Sequence, residues 1–227
     1  MVKTRCSISP AFENYFIKPL IAIVLIFMSS CDAPNPPPSI IKIDEKRVFV
    51  EMDTSMGSIE LELYADKAPV TVGNFISRVR EHFYDGMIFH RVVKDYVIQG
   101  GAFTTGLRLK EAHGPIRNEA GNGLMNDTGS IAMARTSNSD SASAEFYINA
   151  ADNDFLNHLG GTPQKFGYCV FGKVIAGMDV VNKINTVKTG KAKGGIQGRD
   201  AAMGDVPVEE VMIKSVRERV KAKLKTN

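Results

Sequence analysis

Apolar and polar residues alternate in short runs from Arg47 onward. "RVFVEMD" and "GSIELELY" each place every second side chain on one apolar face, the period of a half-buried strand. "TSMG" lies between them with Gly57 in the turn, which predicts a hairpin. The period then changes. In "APVTVGNFISRVREHFYDG", Val72, Phe75, Ile76 and Val79 recur at helical spacing. Pro69 suits the first turn, where its missing N–H would have no partner anyway, and Asp85-Gly86 closes the segment. "IFHRVVKDYVIQGG", Ile88 to Gly101, reads as two apolar strands around a Lys-Asp turn. It carries Arg91 and Gln99 where core residues are expected.

Residues 102–128 are rich in Gly, Asn and Thr with little periodicity, a long loop of the kind often functional in a compact domain. "GSIAMART" and "AEFYINA" are strands joined by the polar "SNSDSAS", and "NDFLN" is a turn or helical loop. "GYCVFGKVI" is a strand. "AGMDVVNKINTV" is a second helix with Met178, Val181 and Ile184 on one side. "GKAKGGIQGRDAAMGD" reads as a flexible loop, and "VPVEEVMIKSVRER" as the last strand. No internal repeat is present. Roughly eight short strands and two helices predict a mainly β fold, a closed antiparallel barrel with a helix over each end.

The 227 residues are 44% hydrophobic and 23% charged, enough for one sizeable core. The formal net charge is +3, and Lys3, Arg5 and Lys18 against Glu13 place most of it in the first thirty residues. The near-neutral body argues against nucleic acid as a partner. The C-terminal tail, 220–227, continues a basic run from Lys214. It is either a solvated terminus or an electrostatic contact with anionic lipid.

Residues 1–30 have the form of a targeting segment: a basic start, then the apolar run Leu20 to Met28, too short to span a bilayer comfortably. "MSSC" follows. Small residues before a cysteine resemble the bacterial lipoprotein signal, in which Cys31 would be lipidated and become the mature N-terminus. Met28 stands where that signal usually has leucine, so ordinary secretory cleavage and an uncleaved anchor stay open. Asp32 resembles the signal that keeps some lipoproteins in the inner membrane, with the outer membrane as the alternative. Residues 31–46 then form a linker in which Pro34, Pro36, Pro37 and Pro38 favour an extended polyproline II stalk. The expected location is periplasmic and membrane-tethered. Cys169 is left as a lone thiol, read as a buried small hydrophobe.

His82, His90, His113 and His158 are scattered without metal-ligand spacing, so no metal is expected. No nucleophile elbow or phosphate-binding loop is present. "NDT" at Asn126 matches a glycosylation sequon but carries little weight behind a bacterial-looking signal.

"FHRVVKDYVIQGG", "GSIAMARTSNSDSASAEFYINAADNDFLN" and "YCVFGKVIAGMDVVNKI" occur in this order and with compatible spacing. They resemble the bacterial branch of the cyclophilin-type peptidyl-prolyl cis-trans isomerases. The resemblance covers residues 47–219 and implies an eight-stranded antiparallel barrel capped by two helices. It also implies a groove on the outside of the barrel for X-Pro segments of unfolded or folding proteins, with no cofactor and a monomeric state.

The family's catalytic arginine matches Arg91, and its groove glutamine matches Gln99. On this resemblance both point outward while their strand neighbours face the core. The chemistry suits a guanidinium. Amide rotation is slow because nitrogen donates its lone pair into the carbonyl. A donor aimed at the prolyl nitrogen engages that lone pair as the bond twists, so the interaction grows in the transition state. The proline pocket corresponds to Tyr96, Val97, Tyr147, Leu156 and Tyr168, with Ala134 and Arg135 in the stretch whose backbone lines the groove. Tyr96, Val97 and Tyr147 stand where the family usually has Phe, Met and Phe. Phe155 replaces the tryptophan associated with strong cyclosporin binding, so weak inhibition is expected. Glu145 stands where the family has a second groove glutamine. It is expected to pair with Arg91 and restrain it, so that Glu145→Gln would raise activity. These departures keep a second reading alive: a proline-peptide binding lipoprotein with weak or no isomerase activity. A structural envelope lipoprotein is a third reading, with no specific support.

Overall fold

The computed structural model describes residues 40–162, 164–196 and 199–219. The expected targeting segment, Cys31, the prolines of the expected linker and the tail from residue 220 lie outside the described residues.

The first hairpin pairs β1 (Arg47–Thr54) with β2 (Gly57–Tyr64) in full register, Val50 opposite Leu61 and Met52 opposite Ile59, all four buried. The chain then forms α1 (Pro69–Arg80), β3 (Met87–Val93), β4 (Val97–Thr104) and the two-residue β5 (Arg108–Leu109). After a long loop come β6 (Ser130–Met133), β7 (Phe146–Asn149), β8 (Val170–Ala176) and α2 (Met178–Asn185). The last strands are β9 (Thr189–Ile196), β10 (Arg199–Pro207) and β11 (Met212–Arg219). Eight of the strands close on themselves in the order β4-β3-β11-β1-β2-β8-β6-β7, with β7 returning to β4, and every pair is antiparallel. Closure leaves no edge within the ring.

One core fills this barrel. α1 contributes Val72, Phe75, Ile76 and Val79, the stripe read from the sequence, and α2 contributes Val180, Val181 and Ile184. The Phe75 ring lies 5.0 Å from Tyr84 and 5.3 Å from Phe171, and meets Phe146 edge-on at 5.9 Å. The start of α1 has no side-chain cap of its own, since Ala68 precedes Pro69. The Glu119 carboxylate, brought by the long loop, does that work. It accepts from the backbone N–H of Val70 at 3.2 Å and of Thr71 at 2.9 Å, and from the Thr71 hydroxyl at 2.8 Å. An anion is favoured there by the helix dipole as well. Ile41 and Ile43, in the stretch read as the end of the linker, pack on the core.

Residues 190–196 and 199–205 are strands, not the flexible loop read from the sequence. β9 and β10 form an antiparallel hairpin, and β9 also pairs in parallel with β5 through Gly195 and Arg108. The hairpin stands outside the ring as an arm. Ladder hydrogen bonds use only backbone groups, so a Gly- and Lys-rich strand without alternation can form when something anchors it. Here the anchor is a second, small apolar cluster of Ile88, Ala102, Phe103, Leu107 and Val206, with Ala192 and Met203 packed on it. The last strand accordingly starts at Met212, because Val206 and Pro207 belong to the arm.

Candidate active site

The β3–β4 hairpin sets the site. Val92 pairs with Ile98 and both face the core, while Arg91 pairs with Gln99 and both are half-buried on the outer face. Two features fix this presentation. The turn is clamped from α2: the Asn185 side chain accepts from the Asp95 N–H at 2.8 Å and donates to the Val93 carbonyl at 2.8 Å. Asp95 itself adopts the left-handed φ of 54° that tight turns need. The ladder also bulges. Phe89 pairs with Gly100 and Arg91 with Gln99, which leaves His90 as an extra residue on β3. Such bulges bend a strand and re-aim its side chains.

The bulge turns His90 inward beside Glu145. His90 is buried, its ring 4.9 Å from Phe103, and its Nε2 lies 3.0 Å from Glu145 Oε1. The same carboxylate oxygen accepts from Gln99 Nε2 at 2.5 Å, and Gln99 Oε1 accepts from Arg91 Nη1 at 3.1 Å. A chain therefore runs His90–Glu145–Gln99–Arg91. The expected direct Glu145–Arg91 pair is not what the structure shows: Glu145 Oε1 is engaged by His90 and Gln99, and acts on Arg91 one residue removed. Burial works to raise the Glu145 carboxyl. The His90 and Gln99 hydrogen bonds and the nearby Arg91 charge outweigh it and leave the group below the usual glutamate range. Gly101 permits the close approach. At φ +89°, a Cβ there would meet the Ala144 carbonyl at 2.7 Å, next to Glu145.

Beside this chain lies an apolar cluster on the outside of the barrel. Val97, Ala132, Tyr147, Leu156 and Val170 are buried together, with Tyr96, Ala134 and Tyr168 packed on them. The β4–β7 register puts Tyr147 directly opposite Gln99. Tyr147 is not simply a phenylalanine with an added polar group in the pocket. Its hydroxyl donates to Asn126 Oδ1 at 2.8 Å, inside a buried network with Asn149 and Asn157. Asn126 is fully buried, so the sequon there is closed to a glycan. The Tyr168 ring meets Tyr147 edge-on at 5.9 Å and lies under the Arg135 guanidinium at 4.7 Å. Arg135 is aimed by its own bonds to the carbonyls of Gly167 and Thr136, both at 2.9 Å. Ala134 is tied by its N–H to the Glu145 carbonyl at 2.9 Å. On the rim, Tyr96 stacks on Phe155 at 5.6 Å, and Phe155 is 70% exposed. Arg91 lies 5.8 Å from the Tyr96 ring centre.

Every sequence-selected groove residue is thus part of one continuous surface, and Cys31 lies outside the described residues. Cys169 is buried, with Thr71 Oγ1 at 3.4 Å, and burial pushes its thiol up to about 12, so it packs rather than reacts. Two residues in contact with this surface were missed. His90 was set aside with the other histidines, although its place beside Arg91 in "FHR" was a signal. Asp205 comes within 3.7 Å of Arg91 from the arm and had none.

The structure thus holds a guanidinium at the mouth of an apolar pocket, a site suited to an apolar ring beside a hydrogen-bond acceptor. Comparison with known proteins agrees. The family model described as cyclophilin type peptidyl-prolyl cis-trans isomerase/CLD matches residues 49–218. The chain is 51% identical over 168 residues to peptidyl-prolyl cis-trans isomerase cyp18 of Streptomyces antibioticus, covering 74% of this chain and 96% of that protein. It is 49% identical to peptidyl-prolyl cis-trans isomerase B of Escherichia coli, covering 74% and 98%. In fold it resembles a Cryptosporidium parvum cyclophilin type isomerase crystallised in the presence of the dipeptide Ala-Pro, with TM-score 0.62, 23% identity and coverage of 76% and 99%. The chain belongs to the cyclophilin-type peptidyl-prolyl cis-trans isomerases, and its activity is cis–trans isomerisation of peptidyl-prolyl bonds.

Proposed function

We propose that Arg91 is the catalytic residue and that this isomerase acts as a monomer on proteins folding outside the cytoplasm, tethered to a membrane through lipidated Cys31. The observation that carries the catalytic part is the Arg91–Gln99 pair at the edge of the apolar cluster around Tyr147. An X-Pro segment would lay its proline ring on Val97, Tyr147, Leu156 and Tyr168, with Arg91 facing the prolyl nitrogen. The Ala-Pro dipeptide named for the Cryptosporidium protein is consistent with that occupant.

In the planar ground state the prolyl lone pair is committed to the carbonyl. As the bond twists, the nitrogen pyramidalises, and an Arg91 N–H donates to the lone pair it releases. Free isomerisation takes tens to hundreds of seconds. A turnover of ~10³ per second would need a gain of ~10⁵, about 7 kcal/mol. One charged hydrogen bond supplies about 1.5–3 kcal/mol. Orientation in the groove and exclusion of water must supply the rest.

The tether reading rests on the apolar run ending in "MSSC" and the prolines after it. The inner membrane is the favoured site because Asp32 follows the cysteine.

The test is isomerisation of an X-Pro tetrapeptide by the detergent-solubilised full-length protein beside Arg91→Ala. A fall of about one to two orders of magnitude in kcat/KM is expected, matching the loss of one charged hydrogen bond in the transition state. A variant within a few-fold of wild type would remove Arg91 from the chemistry. Incorporation of an alkyne-labelled fatty acid, present in the wild type and absent in Cys31→Ser, tests the anchor. An unlabelled wild type would sink it.

A further inference from the structure

The β9–β10 arm lies outside the closed ring, yet it reaches the site. β10 bulges between Met203 and Val206, and Asp205 within that bulge has the left-handed φ of 57°. Aspartate tolerates this conformation better than most residues, at some cost. The next residue, Val206, is buried among Ile88, Phe103 and Leu107. Ile88 sits on the strand that carries Arg91, so the apolar anchor fixes the arm to the catalytic hairpin and sets Asp205 over its outer face. There, Asp205 Oδ2 lies 3.7 Å from Arg91 Nε.

Gln99 engages the other end of the guanidinium, at Nη1. One hydrogen-bond acceptor comes from the barrel and one carboxylate charge from the arm, on different nitrogens of the group. Among the described residues Nη2 makes no hydrogen bond, which leaves it for the substrate. At 3.7 Å the Asp205 contact is coulombic rather than a hydrogen bond.

We propose that Asp205 is a positioning residue for Arg91, delivered by the arm, which holds the guanidinium in the orientation that meets the prolyl nitrogen. This rests on the reading of Arg91 as the catalytic residue. Both side chains are partly exposed, 37% for Arg91 and 51% for Asp205, so the attraction is modest and sensitive to salt. Its value lies in orientation, where a small misplacement is costly.

The experiment uses the full-length protein in detergent and an X-Pro tetrapeptide, with kcat and KM measured from low salt to about 1 M NaCl. Asp205→Asn removes the charge while keeping a residue that accepts a left-handed φ. Asp205→Gly keeps the backbone and removes the side chain. In both variants kcat should fall about two- to fivefold at low salt with KM little changed, the size expected when a partly exposed ion pair is lost. Wild-type kcat should fall toward theirs as salt rises, while theirs stays flat. A kcat at or above wild type in Asp205→Asn overturns the proposal. So does a reduced kcat that keeps the wild-type salt response, because that loss would be structural. Arg91→Ala is measured beside them. If it stays active, the reading of Arg91 itself fails. If it collapses while Asp205→Asn behaves as wild type, only the role of Asp205 fails.

Discussion

Gln99 receives Arg91 on one end of its amide and gives to Glu145 on the other: Oε1 accepts from Arg91 Nη1 at 3.1 Å and Nε2 donates to Glu145 Oε1 at 2.5 Å. A carboxylate only accepts, so it fixes which way the amide points. Were the amide reversed, its NH₂ would face the guanidinium donors.

That relationship separates two substitutions at one position. Glu145→Leu removes the acceptor, lets the Gln99 amide turn over and should lower kcat/KM about tenfold, about 1.4 kcal/mol of transition-state stabilisation. Glu145→Gln still offers an oxygen to Gln99 Nε2 and should stay within about threefold of wild type, a shift under about 0.7 kcal/mol. A large rise in Glu145→Gln would restore the view of Glu145 as a direct restraint on Arg91.

The same carboxylate sets an acid limb. Its folded pKa is depressed, so its contribution is fully present above the ordinary glutamate value of about 4.3 and is lost as pH falls through the lower folded value. A pH profile of kcat/KM should therefore fall on the acid side below about pH 4.3 in the wild type, and Glu145→Gln should lack that limb. Identical acid limbs in the two proteins would assign it to another group.

Tyr147→Phe should uncouple stability from catalysis. The hydroxyl points into the Asn126 network, not into the groove. Its loss leaves Asn126 Oδ1 with only the longer bond from Asn149 at 3.3 Å. A cost of about 1 kcal/mol in urea denaturation is expected, with kcat/KM near wild type. A marked change in turnover at unchanged stability would place the hydroxyl in the groove instead.

Glu119→Ala should destabilise the fold from a distance. The carboxylate serves two backbone donors and one hydroxyl at the start of α1, which carries Phe75 into the core. Loss of a cap costs about 0.5–2 kcal/mol, and this one should fall in the upper half. The urea midpoint is the measurement, and an unmoved midpoint would show that solvent replaces the cap without penalty.

Local pattern determined most of the barrel. Period-two runs such as "RVFVEMD" and the Val72–Val79 stripe state which face of each element is apolar, and a buried face leaves little freedom of register. The groove was named by the motif's resemblance to a known family, and of its residues Arg91, Val97, Gln99 and Tyr147 lie in strands while Tyr96 lies in the turn between β3 and β4. Tertiary structure decided what depends on distant neighbours. Glu145 could be read from the sequence as a carboxylate near Arg91, but its partners were set by a bulge at His90, and no periodicity announces an extra residue in a ladder. The arm was invisible for a related reason. Its strands are held by backbone pairing and by one buried valine meeting Ile88 and Phe103 more than a hundred residues away. Alternation records which side of a strand is buried. It does not record which other strand's charge, here that of Asp205, is set down beside it.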